Sequence, residues 1–417
     1  MLKASTRRLI PSITNETVIA WIGLYCLAVV MGYGRFLFTA TLPDIMSELS
    51  LSTTIAGWLA SVNYMGYFLG SLIAMFVPHR LTWRALILGT LLSIITTLLL
   101  FLPNLPLSLW YVIRLLAGIA SGIGMILGSS FIIQSFSTHK RSLLSTVHYA
   151  GIGVGISASA ILTWWLLSLD LHFYSIWLVA GLTSLPLLVL LYAIRPDGVL
   201  QGNALNKKPS IKQTYINFKR SLYEAMVGQA KAVLLLSLSY VLAGFGYITS
   251  ATFLPVMAAK QLPTQTHAGL LIWLVVGVFA MLSNPLWGAL AKRIGETKTL
   301  MGLTLLQALG MFVPLWFAGA FGLYINAAIL GATFVGIVSM TLNIIKNINP
   351  AYSNLLIGLA TLAYAVGQFL GPLVTVALAG AKDNFDAGLL VAGAGLLLGL
   401  VLILSFSRQM KQVRQGS

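Results

Sequence analysis

Acidic residues are scarce in this sequence. Asp and Glu together number nine in 417 residues, and all charged residues make up only 8%. A soluble chain of this length needs far more charge to cover its surface, so a soluble globular protein is excluded. The single cysteine, Cys26, excludes an internal disulfide and a cysteine-based metal cluster. Walker-type phosphate loops, His-Glu-x-x-His motifs and nucleophile elbows are also lacking, so we predict neither an enzyme nor a cofactor.

Hydrophobic residues make up 58% of the chain and cluster in long runs. A membrane-spanning helix needs about 20 mostly apolar residues. Twelve stretches meet this requirement: 17–41, 54–77, 84–102, 107–134, 143–168, 173–194, 231–255, 266–287, 299–318, 323–345, 354–379 and 387–407. The sequence therefore predicts an all-α membrane protein with twelve transmembrane helices. The first stretch is too long for a signal-peptide core, so we expect it to remain as the first span.

The positive charges are distributed unevenly between the two predicted sides of the membrane. Lys and Arg number 25, which gives a formal net charge of +16. If the N-terminus is cytoplasmic and each helix crosses once, nearly all of them fall on the cytoplasmic side and only Lys260 and Lys382 fall outside. Cytoplasmic loops of membrane proteins carry such an excess. We therefore predict a multi-pass protein of a bacterial inner membrane with both termini in the cytoplasm, and not a nucleic-acid binder.

An internal repeat relates the two halves of the chain. Gly32-Tyr33-Gly34 followed by Leu42-Pro43 recurs 212 residues later as Gly244-Phe245-Gly246 followed by Leu254-Pro255, and the same offset pairs Gly155 with Gly367. Six spans per copy is an even number, so both copies enter the membrane in the same direction, as two parallel six-helix repeats. We expect an N-terminal six-helix bundle (1–195), a polar cytoplasmic linker (196–230) with a surface helix near 211–227, and a C-terminal six-helix bundle (231–417).

The repeat and several local motifs resemble the major facilitator superfamily over essentially the whole chain. The segment 288–295, between the eighth and ninth spans, resembles the family's loop motif, with Lys292 where an Asp is usual. Arg114-Leu-Leu-Ala117-Gly118 resembles the Arg-x-x-Gln-Gly motif, with Ala117 in place of Gln. Within the superfamily, the segments 32–36, 151–155, 331–336 and 367–372 resemble the YbfB/YjiJ-like branch.

The resemblance implies the major facilitator fold and secondary active transport by alternating access. It also implies a role in conformational gating for Gly288, Arg293 and Gly295 in the loop motif. The matching loop of the first half, 78–84, keeps only the basic residues of that motif.

Two arginines fall inside predicted spans, whereas all nine acidic residues fall in loops or at helix ends. Arg35 and Arg114 each lie eight residues from a proline near the outer helix end, which places them at similar depth. An arginine at the bilayer centre costs about 2.5–3.5 kcal/mol on insertion scales. Because no buried carboxylate is available to pair them, we predict that one or both bind an anionic cargo. The alternatives are conformational coupling for Arg114, and extension of Arg35 toward the outer interface.

Further polar and aromatic residues lie where the resemblance implies a central cavity. With Arg35 and Arg114, the predicted substrate-binding residues are Tyr33, Asn63, Tyr64, Tyr149, Tyr247, Tyr364 and Gln368. The repeat places Tyr247 opposite Arg35. Each of these residues could instead serve helix packing or interhelical hydrogen bonding.

His148 is the one histidine well inside a predicted span. It is a candidate for proton coupling together with Arg114, because its ordinary pKa is near neutral. The alternative for His148 is a structural residue with satisfied hydrogen bonds.

These features predict a monomeric secondary transporter in the lipid bilayer that moves a small organic solute, anionic or polar, with a proton as a potential coupling ion. One alternative is a polyspecific exporter of drug-like or siderophore-like molecules that exchanges them for protons. Another is a membrane sensor or assembly platform that transports nothing.

Overall fold

The computed structural model describes residues 13–195, 211–380 and 384–415, and this part of the chain is almost entirely helical. Its twelve long helices are α1 (Glu16–Glu48), α2 (Thr53–Met75), α3 (Thr82–Leu99), α4 (Leu107–Gln134), α5 (Arg141–Leu167), α6 (Tyr174–Ala193), α7 (Ala230–Gln261), α8 (Ala268–Ile294), α9 (Glu296–Trp316), α10 (Ala320–Ile348), α11 (Ser353–Ala379) and α12 (Asp386–Gln415). A linker helix, Ile211–Met226, lies between α6 and α7. The all-α membrane fold predicted from the sequence is confirmed. Residues 196–210 of the predicted linker and Lys382 lie outside the described residues.

Eleven helices of the described chain are long and apolar enough to cross a membrane, and α2 is not among them. It has 23 residues, but Asn63, two tyrosines and three glycines lower its hydropathy. Its packing explains the glycines, because a Cβ added at Gly66 or Gly70 would meet the α4 backbone at Leu115 or Ile119. That the chain has twelve spans therefore stays a prediction, since α2 is long enough to cross a membrane but is not apolar enough to count as a span.

Two helices contain a proline and run beyond the apolar stretches predicted for them. The first and seventh spans were predicted to end at residues 41 and 255, but α1 continues through Pro43 to Glu48 and α7 continues through Pro255 to Gln261. Both helices are thus longer than the apolar stretches predicted as the first and seventh spans. A proline removes one backbone hydrogen bond, and transmembrane helices tolerate this loss where neighbouring helices enclose the chain. Leu42 and Leu254, which precede the two prolines, are fully buried.

A π-helical segment, Ala28–Phe36, interrupts α1, whereas α7 is continuous α-helix over its whole length. The backbone N–H of Leu37 donates to the Gly32 carbonyl, which is the five-residue spacing of a π turn. On α4, the Ser121 hydroxyl donates to the Val30 carbonyl at 2.6 Å and so satisfies an acceptor inside this segment. Such segments often occur at functional sites, and this one contains Arg35.

Glycines bring the helices within each half into close contact. A Cβ at Gly155 of α5 would lie 2.7 Å from the Cα of Gly32 on α1. In the second half, a Cβ at Gly367 of α11 would meet the Val241 carbonyl of α7, and one at Gly244 would meet the Tyr364 carbonyl. The repeat offset relates these contacts, so the two halves share their α1–α5 and α7–α11 packing.

Between the halves, α2 packs against α11 and α5 packs against α8. The part of α1 beyond the π segment also contacts α7 and α8. The ring of Phe36, the last residue of the π segment, lies 6.0 Å from that of Trp273 on α8. The other end of α1, Glu16–Leu27, makes no comparable contact with the described helices of the second half. The contacts of α1 with the second half thus lie toward the end of the molecule that carries Pro43, which we name the Pro43 face. We name the opposite end, with the linker helix, the linker face.

Candidate functional site

Arg35 is buried in the middle of the protein, with 2% of its surface exposed. Its Nη2 donates to the hydroxyl of Tyr247 at 3.1 Å, whereas its Nε has no hydrogen-bond partner in the described structure. The guanidinium carbon lies 4.6 Å from the ring centre of Tyr64 and 4.7 Å from that of Tyr67. Aromatic rings attract a desolvated cation through their negative faces. Among the described residues, none of the acidic side chains pairs with Arg35.

Tyr247, the partner of Arg35, belongs to a stack of aromatic rings in the second half. Its ring is nearly parallel to those of Phe334 and Tyr364, at centroid distances of 5.4 and 5.6 Å. Tyr364 in turn stacks on Tyr240 at 4.3 Å. The Tyr247 hydroxyl also accepts a hydrogen bond from Gln368 Nε2 at 2.5 Å, and the Gln368 Oε1 atom has no described partner. We name Arg35, Tyr64, Tyr67, Tyr247, Tyr364 and Gln368 the Arg35 cluster.

The contact between Arg35 and Tyr247 locates the cluster relative to the repeat. The two residues are 212 positions apart, which is the repeat offset. In a symmetric pair, equivalent residues can touch each other only beside the axis. Arg35 and Tyr247 therefore lie beside the pseudo-twofold axis, between the halves. The hydroxyls of Tyr64 and Thr252, 3.2 Å apart, form a second hydrogen bond across the same boundary.

Arg114 is equally buried, but its described contacts lie within the first half. Its Nε donates to the Leu59 carbonyl at 3.4 Å, and its guanidinium carbon lies 4.1 Å from the ring centre of Phe38. The Asn63 amide donates to the Arg114 backbone carbonyl at 2.9 Å, so the Asn63 side chain joins α2 to α4. Arg114 is close enough to Arg35 for the two charges to interact. A positive region without a carboxylate therefore extends over both arginines.

Besides Arg114 and Asn63, three further predicted residues lie outside the Arg35 cluster. Residues two positions apart on a helix point in different directions, so Tyr33 does not face the same side of α1 as Arg35, and its hydroxyl lies near Thr183 of α6. His148 packs between α1 and α4, with Nε2 3.0 Å from the Ser129 hydroxyl and no hydrogen-bond partner for Nδ1. Tyr149 packs edge-on against His148.

The predicted gating residues lie at the junction of α8 and α9 on the linker face. Gly295 has a φ of +91°, a conformation that favours glycine, and it alone separates the two helices. Arg293 is exposed and forms no ion pair with any described residue. A Cβ at Gly288 would meet nothing within 4 Å, so packing does not require a glycine there. The gating role of the three residues stays a prediction.

Tyr67, Tyr240 and Phe334 are neighbours of the site that were not predicted from the sequence. For two of them, the spacing along the helix indicates the same position. Tyr67 lies three residues after Tyr64, and Tyr240 lies seven residues before Tyr247, so each shares a helix face with a residue already selected.

Comparisons with known proteins cover the whole site. A family model described as "Uncharacterised MFS-type transporter YbfB" matches residues 27–404. The chain is 24% identical over 375 residues to the "Uncharacterized MFS-type transporter YceJ" of Bacillus subtilis (strain 168), which covers 86% of this chain and 88% of that protein. Shorter matches are 30% identity over 157 residues to the gallate transporter of Pseudomonas putida (37% of this chain, 34% of that protein) and 25% over 139 residues to the D-arabinitol transporter of Klebsiella pneumoniae (32% of each).

Proposed function

The chain belongs to the YbfB-like family of MFS-type transporters, and from this membership we propose that it is a secondary active transporter that carries a small organic anion by alternating access. The family membership makes it an integral membrane transporter, not an enzyme. We also propose that the bundles 1–195 and 231–417 move relative to each other as a monomer in a bacterial inner membrane. The excess of Lys and Arg in the loops of the linker face supports a cytoplasmic location for that face.

The observation that carries the proposal is the incomplete pairing of Arg35. Burying an arginine costs about 2.5–3.5 kcal/mol at the bilayer centre, and one neutral hydrogen bond with three ring contacts replaces only part of its hydration. The guanidinium keeps an unused donor, Nε, on the same edge as Nη2. A carboxylate accepts two parallel hydrogen bonds from such an edge. An organic anion therefore satisfies Arg35 more completely than the protein does by itself.

The names of the partial relatives agree with a small, oxygen-rich cargo. Gallate is an aromatic carboxylate, and D-arabinitol is an uncharged polyol. The aromatic stack at Tyr247 and the amide of Gln368 suit either kind of molecule, since rings pack against apolar faces and the amide binds hydroxyls. The buried charges of Arg35 and Arg114 favour the carboxylate.

A thermal-shift screen of the purified protein tests the proposal. A ligand that binds the folded state raises its stability, by about 2.7 kcal/mol at 100 times its Kd. We expect organic acids to stabilise the wild type, Arg35→Ala to abolish this effect, and Arg35→Lys to weaken it because ammonium lacks the planar fork. Amines and polyols serve as comparison ligands.

Arg408→Ala is a matched control, because Arg408 is an exposed arginine on the linker face and its replacement removes the same charge. Equal stabilisation of wild type and Arg35→Ala by acids would contradict the proposal. Stabilisation by many unrelated cations would instead favour the polyspecific exporter.

A further inference from the structure

We propose that Tyr247 occupies the position of the cargo's acidic group on Arg35, so that an organic anion binds by displacing the Tyr247 hydroxyl. This inference rests on the proposed function, because it assumes that Arg35 binds the cargo. It adds a role for Tyr247 as an internal competitor whose hydrogen bond to Arg35 is exchanged for the cargo.

The shape of the guanidinium group is the first argument. Nε and Nη2 lie on one edge of the plane, where their N–H bonds point in parallel. The Tyr247 hydroxyl accepts a hydrogen bond from Nη2 at 3.1 Å, and the neighbouring Nε is buried without a hydrogen-bond partner in the described structure. Nη2 has two N–H bonds, of which one is parallel to Nε–H. We assign the phenol oxygen to that parallel N–H, where one oxygen of a carboxylate that uses both donors would lie, and this leaves Nε for the second oxygen.

Gln368 supplies the second argument, because it can keep the displaced hydroxyl. Its amide already contacts the Tyr247 oxygen at 2.5 Å, and its Oε1 is buried without a partner. A phenol both donates and accepts hydrogen bonds, and a half-turn of the amide presents Oε1 to the phenol proton. Tyr247 therefore loses its bond to Arg35 without being left unsatisfied. The aromatic stack with Phe334 and Tyr364 holds its ring in place during the exchange.

The third argument is the location of the bond between the halves. Arg35 lies on α1 and Tyr247 on α7, beside the pseudo-twofold axis. When the anion replaces the phenol, a direct bond between the two halves is removed at the centre of the molecule. Cargo binding would in this way favour a movement of the halves, since a ligand shifts an equilibrium only by its different affinities for the two states.

Isothermal titration of gallate into four purified proteins tests the inference: wild type, Tyr247→Phe, Arg35→Lys and the double variant. Tyr247→Phe removes only the competing hydroxyl and keeps the ring. We expect its Kd for gallate to be about tenfold lower than that of the wild type, which corresponds to about 1.4 kcal/mol. Tyr111→Phe removes a phenol hydroxyl away from the cluster and should leave the Kd unchanged.

The double variant separates competition from a general structural effect. If Tyr247 competes for the arginine fork, removing its hydroxyl in the Arg35→Lys background should not tighten binding. An unchanged or weaker affinity of Tyr247→Phe, including no binding at all, would overturn the inference. Arg35-dependent binding without tightening in Tyr247→Phe would overturn this inference alone, whereas gallate binding that is the same in wild type and Arg35→Lys would overturn the proposed function.

Discussion

The two halves of the molecule share their backbone contacts but differ in the chemistry of equivalent side chains. Gly155 and Gly367, related by the repeat, both press α5 or α11 against the first helix of their half. Beside these shared contacts, Arg35 of the first half is replaced by Tyr247 in the second. The packing that defines the fold has been kept in both copies, whereas the residues that face the axis have diverged.

A second equivalent pair shows the same divergence one layer away. Arg114 corresponds to Asn326, and Phe38, on which Arg114 stacks, corresponds to Ser250. Asn326 accepts a hydrogen bond from Ser250 at 2.7 Å and donates one to the Gly310 carbonyl at 2.7 Å. The contact between α1 and α4 is thus made by a cation and an aromatic ring, whereas the equivalent contact between α7 and α10 is a neutral hydrogen bond. The first half has kept its buried charges, and the second half has paired its polar groups internally.

The largest predicted effect tests whether the shared packing is equal in the two halves. Gly155→Val and Gly367→Val both place side-chain atoms against the backbone of a neighbouring helix. Overpacking of this kind costs about 1–3 kcal/mol, and more where the obstacle is backbone. We expect both variants to lose folded yield in detergent and to melt at clearly lower temperature, as measured by tryptophan fluorescence.

The control for both is Gly302→Ala, because a Cβ at Gly302 would meet nothing within 4 Å. It should be neutral or slightly stabilising, since glycine in a helix interior is less favourable than alanine by about 0.5–1 kcal/mol. A stable Gly367→Val protein beside an unstable Gly155→Val protein would show that the two halves do not pack alike.

Asn326 offers the next largest effect and tests the difference between the halves. Asn326→Ala leaves the Ser250 hydroxyl and the Gly310 carbonyl without their partner, and a buried group without a hydrogen bond costs about 1–3 kcal/mol. We expect a lower melting temperature and an unchanged affinity for acids, because the role of Asn326 is internal pairing. Arg114→Gln should instead weaken the binding of organic acids, since it removes a positive charge close to Arg35 that attracts the anion. Loss of acid binding in Asn326→Ala would contradict this division.

Sequence alone could predict the architecture because the repeat and the apolar runs are properties of the chain. The offset that aligned the glycines also placed Tyr247 opposite Arg35, and the structure joins the two with a hydrogen bond. The continuation of α1 and α7 through Pro43 and Pro255 was not predicted, since the enclosure of these helices by their neighbours is a tertiary property.

The details of the site depend on contacts between distant segments, which a single sequence does not display. The π segment around Arg35, for example, accepts a hydrogen bond from the Ser121 hydroxyl of another helix. The aromatic stack joins residues of α7, α10 and α11, so no pattern within one segment of the sequence predicts it. Tyr33 was within reach of sequence reasoning, because its two-residue separation from Arg35 already placed it on another face.

An exchange of the two axis residues would sharpen the comparison further. In Tyr247→Arg alone, two arginines face each other without a carboxylate, so we expect clear destabilisation. Adding Arg35→Tyr restores one cation and one phenol at the axis, with the cation now beside Phe334 and Tyr364. We expect the double variant to melt above Tyr247→Arg, with a favourable interaction energy of about 0.5–3 kcal/mol. Strict additivity of the two single effects would show that the residues do not act as a pair.

The linker helix extends the comparison to the linker face, where it contacts both halves. The ring of Phe218 lies 5.6 Å from that of Phe76 at the end of α2. Near its other end, the Glu224 carboxylate accepts hydrogen bonds from the Tyr352 hydroxyl before α11 and from Arg220 Nε at 2.8 Å. The contact with the first half is therefore apolar, and the contact with the second half is ionisable.

The smallest predicted effect follows from this difference and concerns pH. The hydrogen bond from Tyr352, and then that from Arg220, hold the pKa of the Glu224 carboxyl below its ordinary value. A carboxyl with a lowered pKa in the folded state contributes stability above its ordinary pKa of about 4.3, and this contribution is lost as the pH falls through the lower folded value. The effect is small, because Arg220 is 78% exposed. Melting curves of wild type and Glu224→Gln should differ slightly but constantly between pH 7 and 5, and converge below about pH 4. Phe218→Ala is the control: it should lower the melting temperature equally at every pH, since the contact between Phe218 and Phe76 does not titrate. A difference between wild type and Glu224→Gln that grows as the pH falls would contradict the assignment of the Glu224 carboxylate as the acceptor.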